Sequence, residues 1–178
     1  MSNTYAPTSS SVKLRRLVLT GMLAALTYVF TAYLHVPTGS GYTHAGDGII
    51  FLAASILPPG YAMAAGAIGG ALADGLSGYA VWIPATIVVK ALTALCFTNK
   101  NDKILNRRNF LALIPSLLLC ILGYAFYEAV VITKTLSAGT IIAAFTQTPS
   151  YFVQTAASAA LYIAVGSAMD KAGLKKKI

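Results

Sequence analysis

The sequence predicts an all-α integral membrane protein: a single domain, residues 1–178, that folds as a six-helix bundle with both termini in the cytoplasm. Three observations support this prediction. Hydrophobic residues make up 57% of the chain and charged residues only 10%, whereas soluble domains carry about 25% charged residues. The apolar residues form segments between turn-forming stretches, and a membrane span needs about 20 such residues. The basic residues collect at the ends of these segments.

The basic residues also predict the topology. Eleven of the thirteen Lys and Arg residues lie in three clusters, at residues 13–16, 100–108 and 171–177. Basic flanks mark the cytoplasmic side of a membrane. Six spans place all three clusters on that side, whereas five or seven would place the last one outside. The net charge of +8 therefore indicates membrane orientation, because nucleic-acid binding would need a soluble basic surface.

Turn signals and loops divide the apolar residues into six segments. A Pro-Pro-Gly turn at 58–60 ends segment two, and a Ser-Gly-Tyr break at 77–79 ends segment three. The basic loop 99–109 separates segments four and five. Segments two and three are short for complete spans, so we expect them to tilt or to lie partly inside the bundle. The predicted spans are 13–34, 47–57, 61–76, 81–98, 110–133 and 149–169.

A polar, glycine-rich loop, residues 35–46, follows the first span. It is too polar for lipid unless it is buried in protein or lines a cavity, and the topology places it outside the cell. Three glycines give its backbone conformational freedom: Gly39, Gly41 and Gly46. Because Tyr42 and His44 supply contact groups, we predict that this loop orders over a bound ligand.

Segments four, five and six each carry a polar and aromatic stripe in the outer half. Residues three or four positions apart share a helix face, and that spacing groups these side chains. Aromatic rings with a few placed hydrogen-bonding groups suit a small, flat, polar ligand. We therefore predict a pocket at the outer ends of these segments, under the 35–46 loop. The candidate substrate-binding residues are His44, Asp47, Tyr79, Trp82, Thr86, Lys90, Tyr124, Tyr127, Glu128, Gln147, Tyr151 and Gln154.

Four charged residues fall in the apolar segments or close to them, where each needs a partner or a cavity. Asp47, Asp74 and Glu128 lie towards the outer half, and Lys90 lies inside segment four. Lys90 is either a ligand-binding group or the structural partner of Asp74 or Glu128. Asp47 either faces the pocket or caps the start of segment two.

Segment one carries two overlapping pairs of small residues in its cytoplasmic half. These pairs are Thr20 with Ala24 and Gly21 with Ala25. Small residues four apart let another helix approach closely. They serve either packing within the chain or the docking of a partner protein.

The sequence lacks the motifs of an enzyme. It has no phosphate-binding GxxxxGK[ST] loop and no catalytic set of side chains at useful spacing. No third ligand shares the spacing of His35 and His44, so we expect no metal site. We expect no cofactor in this chain, and ATP-driven transport would need a separate ATPase subunit.

A string in the middle of the chain resembles one known family. Residues 73–90 read ADGLSGYAVWIPATIVVK, and residues 46–75 read GDGIIFLAASILPPGYAMAAGAIGGALADG. These strings resemble the S components of energy-coupling factor (ECF) transporters, most closely the hydroxymethylpyrimidine- and pyridoxine-type members. The resemblance covers the length and span count of the whole chain and is sharpest over residues 46–95.

The resemblance implies a multi-pass protein of the cell membrane, expected to be a bacterial plasma membrane. It implies capture of a vitamin or precursor on the outside. The partners would be a transmembrane T component and two cytoplasmic ATPases, which use the ATP, and release inside would need the S component to topple. The 35–46 loop would close over the ligand, and the small-residue pairs would contact the T component. The alternative is a stand-alone secondary or proton-coupled transporter that uses Asp47, Asp74 or Glu128 as relays.

Overall fold

The computed structural model of the chain describes residues 9–38, 41–135 and 137–177. Gly39 and Ser40 of the predicted lid loop, and Leu136 of the predicted connection before segment six, lie outside these residues. The described residues are mostly helical, with one antiparallel hairpin of two strands. The strands are β1, His35–Thr38, and β2, Gly41–His44.

Helices lie over each of the six predicted segments, and two further short helices are present in the described residues. Three helical stretches, Ser10–Ala32, Arg107–Ile132 and Ala138–Lys171, are long and apolar enough to cross a membrane. The count of six crossings stays a prediction. The helices are α1 Ser9–Ala32, α2 Asp47–Ile56, α3 Pro59–Leu76, α4 Ile83–Leu95, α5 Arg107–Leu111, α6 Leu113–Tyr127, α7 Ala138–Ala144 and α8 Thr148–Lys171.

Helix α2 is the centre of the bundle. All its residues from Asp47 to Ser55 are buried, and it packs against α1, α3, α4 and α8. A helix that is apolar on every side is stable only when other helices surround it. The shortness of this segment is thus explained by its place inside the protein.

Helix α3 packs very closely on α1 and α4 because two glycines lie at the contacts. A Cβ atom at Gly69 would lie 2.6 Å from the Ala24 carbonyl oxygen of α1. A Cβ at Gly70 would lie 2.7 Å from Cγ2 of Thr86 on α4. The absent side chains therefore set the separation of these helices, and they bring α3 close to α4 at Thr86.

Prolines and glycines set several helix ends. Pro59 begins α3, where the missing proline N–H has no helical partner to lose. After α3, Gly78 adopts a φ of +87°, which glycine reaches without strain. The chain then makes one 3-10 turn, Ala80–Trp82, before α4.

Two local features differ from the predicted segments. The predicted connection before segment six contains α7, which Ser137 begins with a capping box to Thr140. The C-terminal end of segment five is a π-helical turn, Glu128–Ile132. Hydropathy showed neither feature, because caps and π turns depend on local hydrogen bonds.

The basic loop before α5 is held by buried and partly buried hydrogen bonds. The Asp170 carboxylate accepts from the backbone N–H groups of Ile104 and Leu105 at 2.8 and 2.9 Å. Asn109, which is fully buried, donates to Ser55 and to backbone oxygens of the loop. These bonds tie this end of the bundle to α2 and α8.

Candidate ligand-binding cavity

A cavity lies at one end of the bundle, beneath the β1–β2 hairpin. It is enclosed by α1, α3, α4, α6 and α8 together with the short turns that precede α4 and α8. The space open to the centre of a water molecule is about 50 Å³. Its lining residues are Thr31, Thr38, Gly41, Tyr42, His44, Gly70, Asp74, Trp82, Thr86, Lys90, Tyr124, Gln147, Ser150, Tyr151 and Gln154.

A buried ion pair lies at the base of the cavity. Lys90 Nζ is 2.7 Å from Asp47 Oδ1, and Gln154 Nε2 donates to Asp47 Oδ2 at 2.7 Å. The three residues belong to α4, α2 and α8. The sequence left open a structural pairing of Lys90 with Asp74 or Glu128. The structure instead pairs Lys90 with Asp47. Asp47 makes no side-chain cap to its own helix.

A second carboxylate, Asp74 of α3, joins the hairpin to the bundle. Tyr42 Oη of β2 donates to Asp74 Oδ1 at 2.6 Å. The Tyr42 ring also lies 4.6 Å from the ring of Tyr79. A further tie runs from the Thr43 hydroxyl to the Ser150 carbonyl oxygen of α8, at 3.0 Å. The hairpin is therefore held to two helices on opposite sides of the cavity.

Three aromatic rings form one wall. Tyr124 and Tyr151 are parallel within 9°, with ring centroids 5.7 Å apart. Trp82 meets Tyr124 edge to face at 5.9 Å. The Tyr124 hydroxyl shares a 3.1 Å hydrogen bond with the Thr86 hydroxyl, so one end of this wall is polar. Such a wall suits stacking on a flat ring.

His44 closes the hairpin side and is neutral at ordinary pH. Its Nδ1 accepts a hydrogen bond from the Gly46 backbone N–H at 3.1 Å. Burial, and then the nearby Lys90 charge, lowers the pKa of His44 from 6.5 to about 3. The ring thus offers the cavity a neutral imidazole.

Eight of the predicted substrate-binding residues line this cavity, and four lie behind or beside it. Asp47 is covered by Lys90 and Gln154, and Tyr79 packs on Tyr42. Tyr127 donates to the Val81 carbonyl oxygen at 2.8 Å. Glu128 lies in the π turn beyond α6. The eight lining residues are His44, Trp82, Thr86, Lys90, Tyr124, Gln147, Tyr151 and Gln154.

Sequence reasoning missed the wall made by α1 and α3. Thr31 and Gly70 line the cavity, but nothing in their sequence surroundings distinguishes them from packing residues. Asp74 had a signal, because an acid in a membrane segment needs a partner or a cavity. The sequence analysis groups Asp74 with the acids of the outer half, but the pocket predicted there does not include it.

The two small-residue pairs of α1 face in different directions. Thr20 and Ala24 are buried against the bundle. Gly21 and Ala25 are exposed, and a Cβ at Gly21 would meet no atom within 4 Å. One pair thus packs within the chain, and the other lies on the outer surface of the helix.

Comparison with known proteins assigns the chain to a family. A sequence model of the family described as "ECF-type riboflavin transporter, S component" matches residues 11–171 of this chain. The chain belongs to this family. No curated protein matches the chain significantly.

Membership of the ECF S component family establishes the broad role. The chain is a substrate-binding membrane subunit of an ECF transporter, in a family whose function is vitamin uptake. This is a transporter family and not a class of enzyme. ECF S components in general work with a T component and ATPases. Within the described residues, no group of three His, Cys, Asp or Glu side chains is arranged to hold a metal.

Proposed function

We propose that this S component captures a single-ring vitamin or precursor, of the hydroxymethylpyrimidine or pyridoxine type, from outside the cell. It then delivers the ligand by docking on a T component that carries two ATPases. The observation that carries this proposal is the cavity beneath the hairpin, with its aromatic wall and placed polar groups.

The resemblance of residues 46–95 to the hydroxymethylpyrimidine- and pyridoxine-type members supports a single-ring substrate. The lining agrees with such a ligand, because a ring can lie against Tyr124 and Tyr151 while Gln147 and Gln154 offer hydrogen bonds to its substituents. The word riboflavin belongs to the family's description, and the proposed substrate of this chain is a smaller, single-ring compound.

The proposed orientation puts the hairpin outside and both termini inside. It rests on the three basic clusters, which mark the cytoplasmic side when six segments cross the membrane. The cavity then opens towards the exterior of a bacterial plasma membrane, where a scarce vitamin must be captured.

Docking is proposed on the exposed pair of α1, Gly21 and Ala25. Two small residues on an exposed helix face let a partner helix approach to short distance. The buried pair, Thr20 and Ala24, would act only by holding α1 against α3. Delivery would require ATP hydrolysed by the partner subunits, since the chain has no nucleotide-binding motif.

Co-purification with ligand analysis tests the proposal. The tagged chain, expressed in its native membrane, should recover a T component and two ATPases. Mass spectrometry of the purified chain should detect a single-ring compound. Uptake by the chain alone in proteoliposomes, driven by a proton gradient without ATPases, would instead support the stand-alone carrier. A bound flavin would contradict the proposed substrate class and leave the transporter role intact.

A further inference from the structure

We propose that Asp74 is a specificity-determining residue that accepts hydrogen bonds from a protonated or N–H-bearing ring edge of the ligand. This inference rests on the proposed function and narrows its substrate to basic nitrogen heteroaromatic compounds. It also assigns a role to a residue outside the set predicted from the sequence.

Asp74 has one oxygen engaged and one available. The side chain lines the cavity and is 4% exposed. Oδ1 accepts from Tyr42, whereas Oδ2 is buried with no hydrogen-bond partner in the part of the chain that the structure describes. A buried polar atom without a partner is unfavourable, and more so when it is charged.

The charges around the cavity do not balance. Lys90 is the cation in the cavity wall, and Asp47 already neutralises it at 2.7 Å. Asp74 therefore has no cation of its own among the described residues, and His44 stays neutral at ordinary pH. The Thr86 hydroxyl can donate to Asp74 when Tyr124 donates to Thr86, but a neutral hydroxyl cannot cancel a charge.

A ligand can supply the positive charge and the N–H donor that Asp74 lacks in the cavity. A charge in a membrane segment is normally paired or hydrogen-bonded, and charge-assisted hydrogen bonds are roughly twice as strong as neutral ones. An aminopyrimidine presents a ring nitrogen beside an amino group, and a pyridinium presents one N–H. Either edge can donate to Asp74 while the ring lies against Tyr124 and Tyr151.

The same carboxylate disfavours other ligands. A ring that places a carbonyl oxygen towards Asp74 would leave two acceptors facing each other without a proton between them. Discrimination of this kind depends on rejecting the wrong ligand as well as binding the right one. Gln147 and Gln154, on the α8 side, can read the remaining substituents because an amide both donates and accepts.

Two matched probes test this inference on the full-length chain in detergent or nanodiscs. The first is 4-amino-5-hydroxymethyl-2-methylpyrimidine, and the second is the same ring with hydrogen in place of the amino group, which has no N–H to donate. Calorimetry should show the wild type binding the amino probe at least about tenfold more tightly. Asp74→Asn should remove at least about tenfold of the amino probe's affinity and little of the other's.

Two further variants keep the result interpretable. Asp74→Glu retains the charge and should keep part of the preference for the amino probe. Asp102→Asn removes an exposed acid of the cytoplasmic loop and should change neither affinity. If Asp74→Asn does not fold, the relative affinity of the wild type for the two probes still tests the inference, because that measurement requires no variant.

Three results would overturn the inference. These are a wild type that binds the two probes equally or prefers the probe without the amino group, a wild type that binds neither, and an Asp74→Asn variant that keeps the wild-type preference. Recovery of the T component and ATPases is measured separately. A failed inference with an assembled complex is thereby distinguished from failure of the transporter role.

Discussion

Lys90 Nζ of α4 lies 2.7 Å from Asp47 Oδ1 of α2, and both side chains are almost completely buried. Gln154 of α8 bonds the other carboxylate oxygen, so three helices meet at this one acid. The pair lies at the base of the candidate cavity. It therefore connects the stability of the bundle to the shape of the site.

Breaking this pair from one side should destabilise the protein strongly. Lys90→Met or Asp47→Asn leaves a buried charge without its partner, which is unfavourable by about 3–5 kcal/mol. The double variant removes both charges and should unfold closer to the wild type than either single variant does. Unfolding of the three variants in detergent measures the coupling. Single variants within about 1 kcal/mol of the wild type would show that the pair is not maintained in the membrane.

Tyr151→Ala should weaken binding of the amino probe by at least about tenfold. The substitution removes the ring that stacks on Tyr124 and opens the cavity wall. Tyr127→Ala is the matched control, because that ring packs on Trp82 from outside the cavity. Calorimetry on monodisperse samples compares the two. Equal losses from both variants would place the ligand elsewhere.

Tyr42→Phe should loosen the hairpin. It removes a hydrogen bond to a carboxylate, a type of bond that contributes about 1.5–3 kcal/mol. Hydrogen exchange across residues 41–44 should become faster without ligand, and the protection that ligand adds across residues 35–46 should shrink.

The control for this change is Tyr61→Phe. It removes a hydroxyl from the end of α3 that lies opposite to Asp74, the partner of Tyr42. It should leave hairpin exchange unchanged. If Tyr42→Phe has no more effect than Tyr61→Phe, the Asp74 contact does not hold the hairpin.

Gly21→Trp should abolish assembly with the T component and leave probe binding intact. The site is open, since a Cβ there meets no atom within 4 Å, so the indole should not disturb the fold. Leu122→Trp places the same bulk on an exposed position of α6. Pull-down of the T component and ATPases compares them. Normal assembly of the Gly21 variant would exclude this face as the docking surface.

The hairpin should open as the pH falls. In the folded state the pKa of His44 is about 3, against 6.5 when the residue is free. Protonation therefore favours the open form below pH 6.5, and the stability from the neutral ring is lost progressively towards pH 3. The loss approaches about 1.4 kcal/mol per pH unit.

Hydrogen exchange of residues 41–44, measured as a function of pH and corrected for intrinsic rates, follows this opening. His44→Gln retains an acceptor for the Gly46 N–H but cannot titrate, so its hairpin should lose the pH dependence. An identical pH profile for the two proteins would assign the opening to another group.

The predicted segments and the observed helices agree because hydropathy and turn signals are local properties. Pro59 and Gly78 mark the ends of α3 in both. The short helix α7 and the π turn at Glu128–Ile132 were missed, since capping and π hydrogen bonds leave little trace in hydropathy. Spacing along segment four groups Trp82, Thr86 and Lys90, and all three line the cavity.

The sequence by itself determined which residues of one helix share a face and which segments are apolar enough for a bilayer. It could not determine how each helix is rotated against its neighbours, because that rotation depends on close packing such as Gly69 against Ala24. Tertiary structure alone therefore paired Lys90 with Asp47 and brought Asp74 into the cavity wall. The same packing turned Ala24 inwards and left Gly21 exposed, so only one small-residue pair is open to a partner.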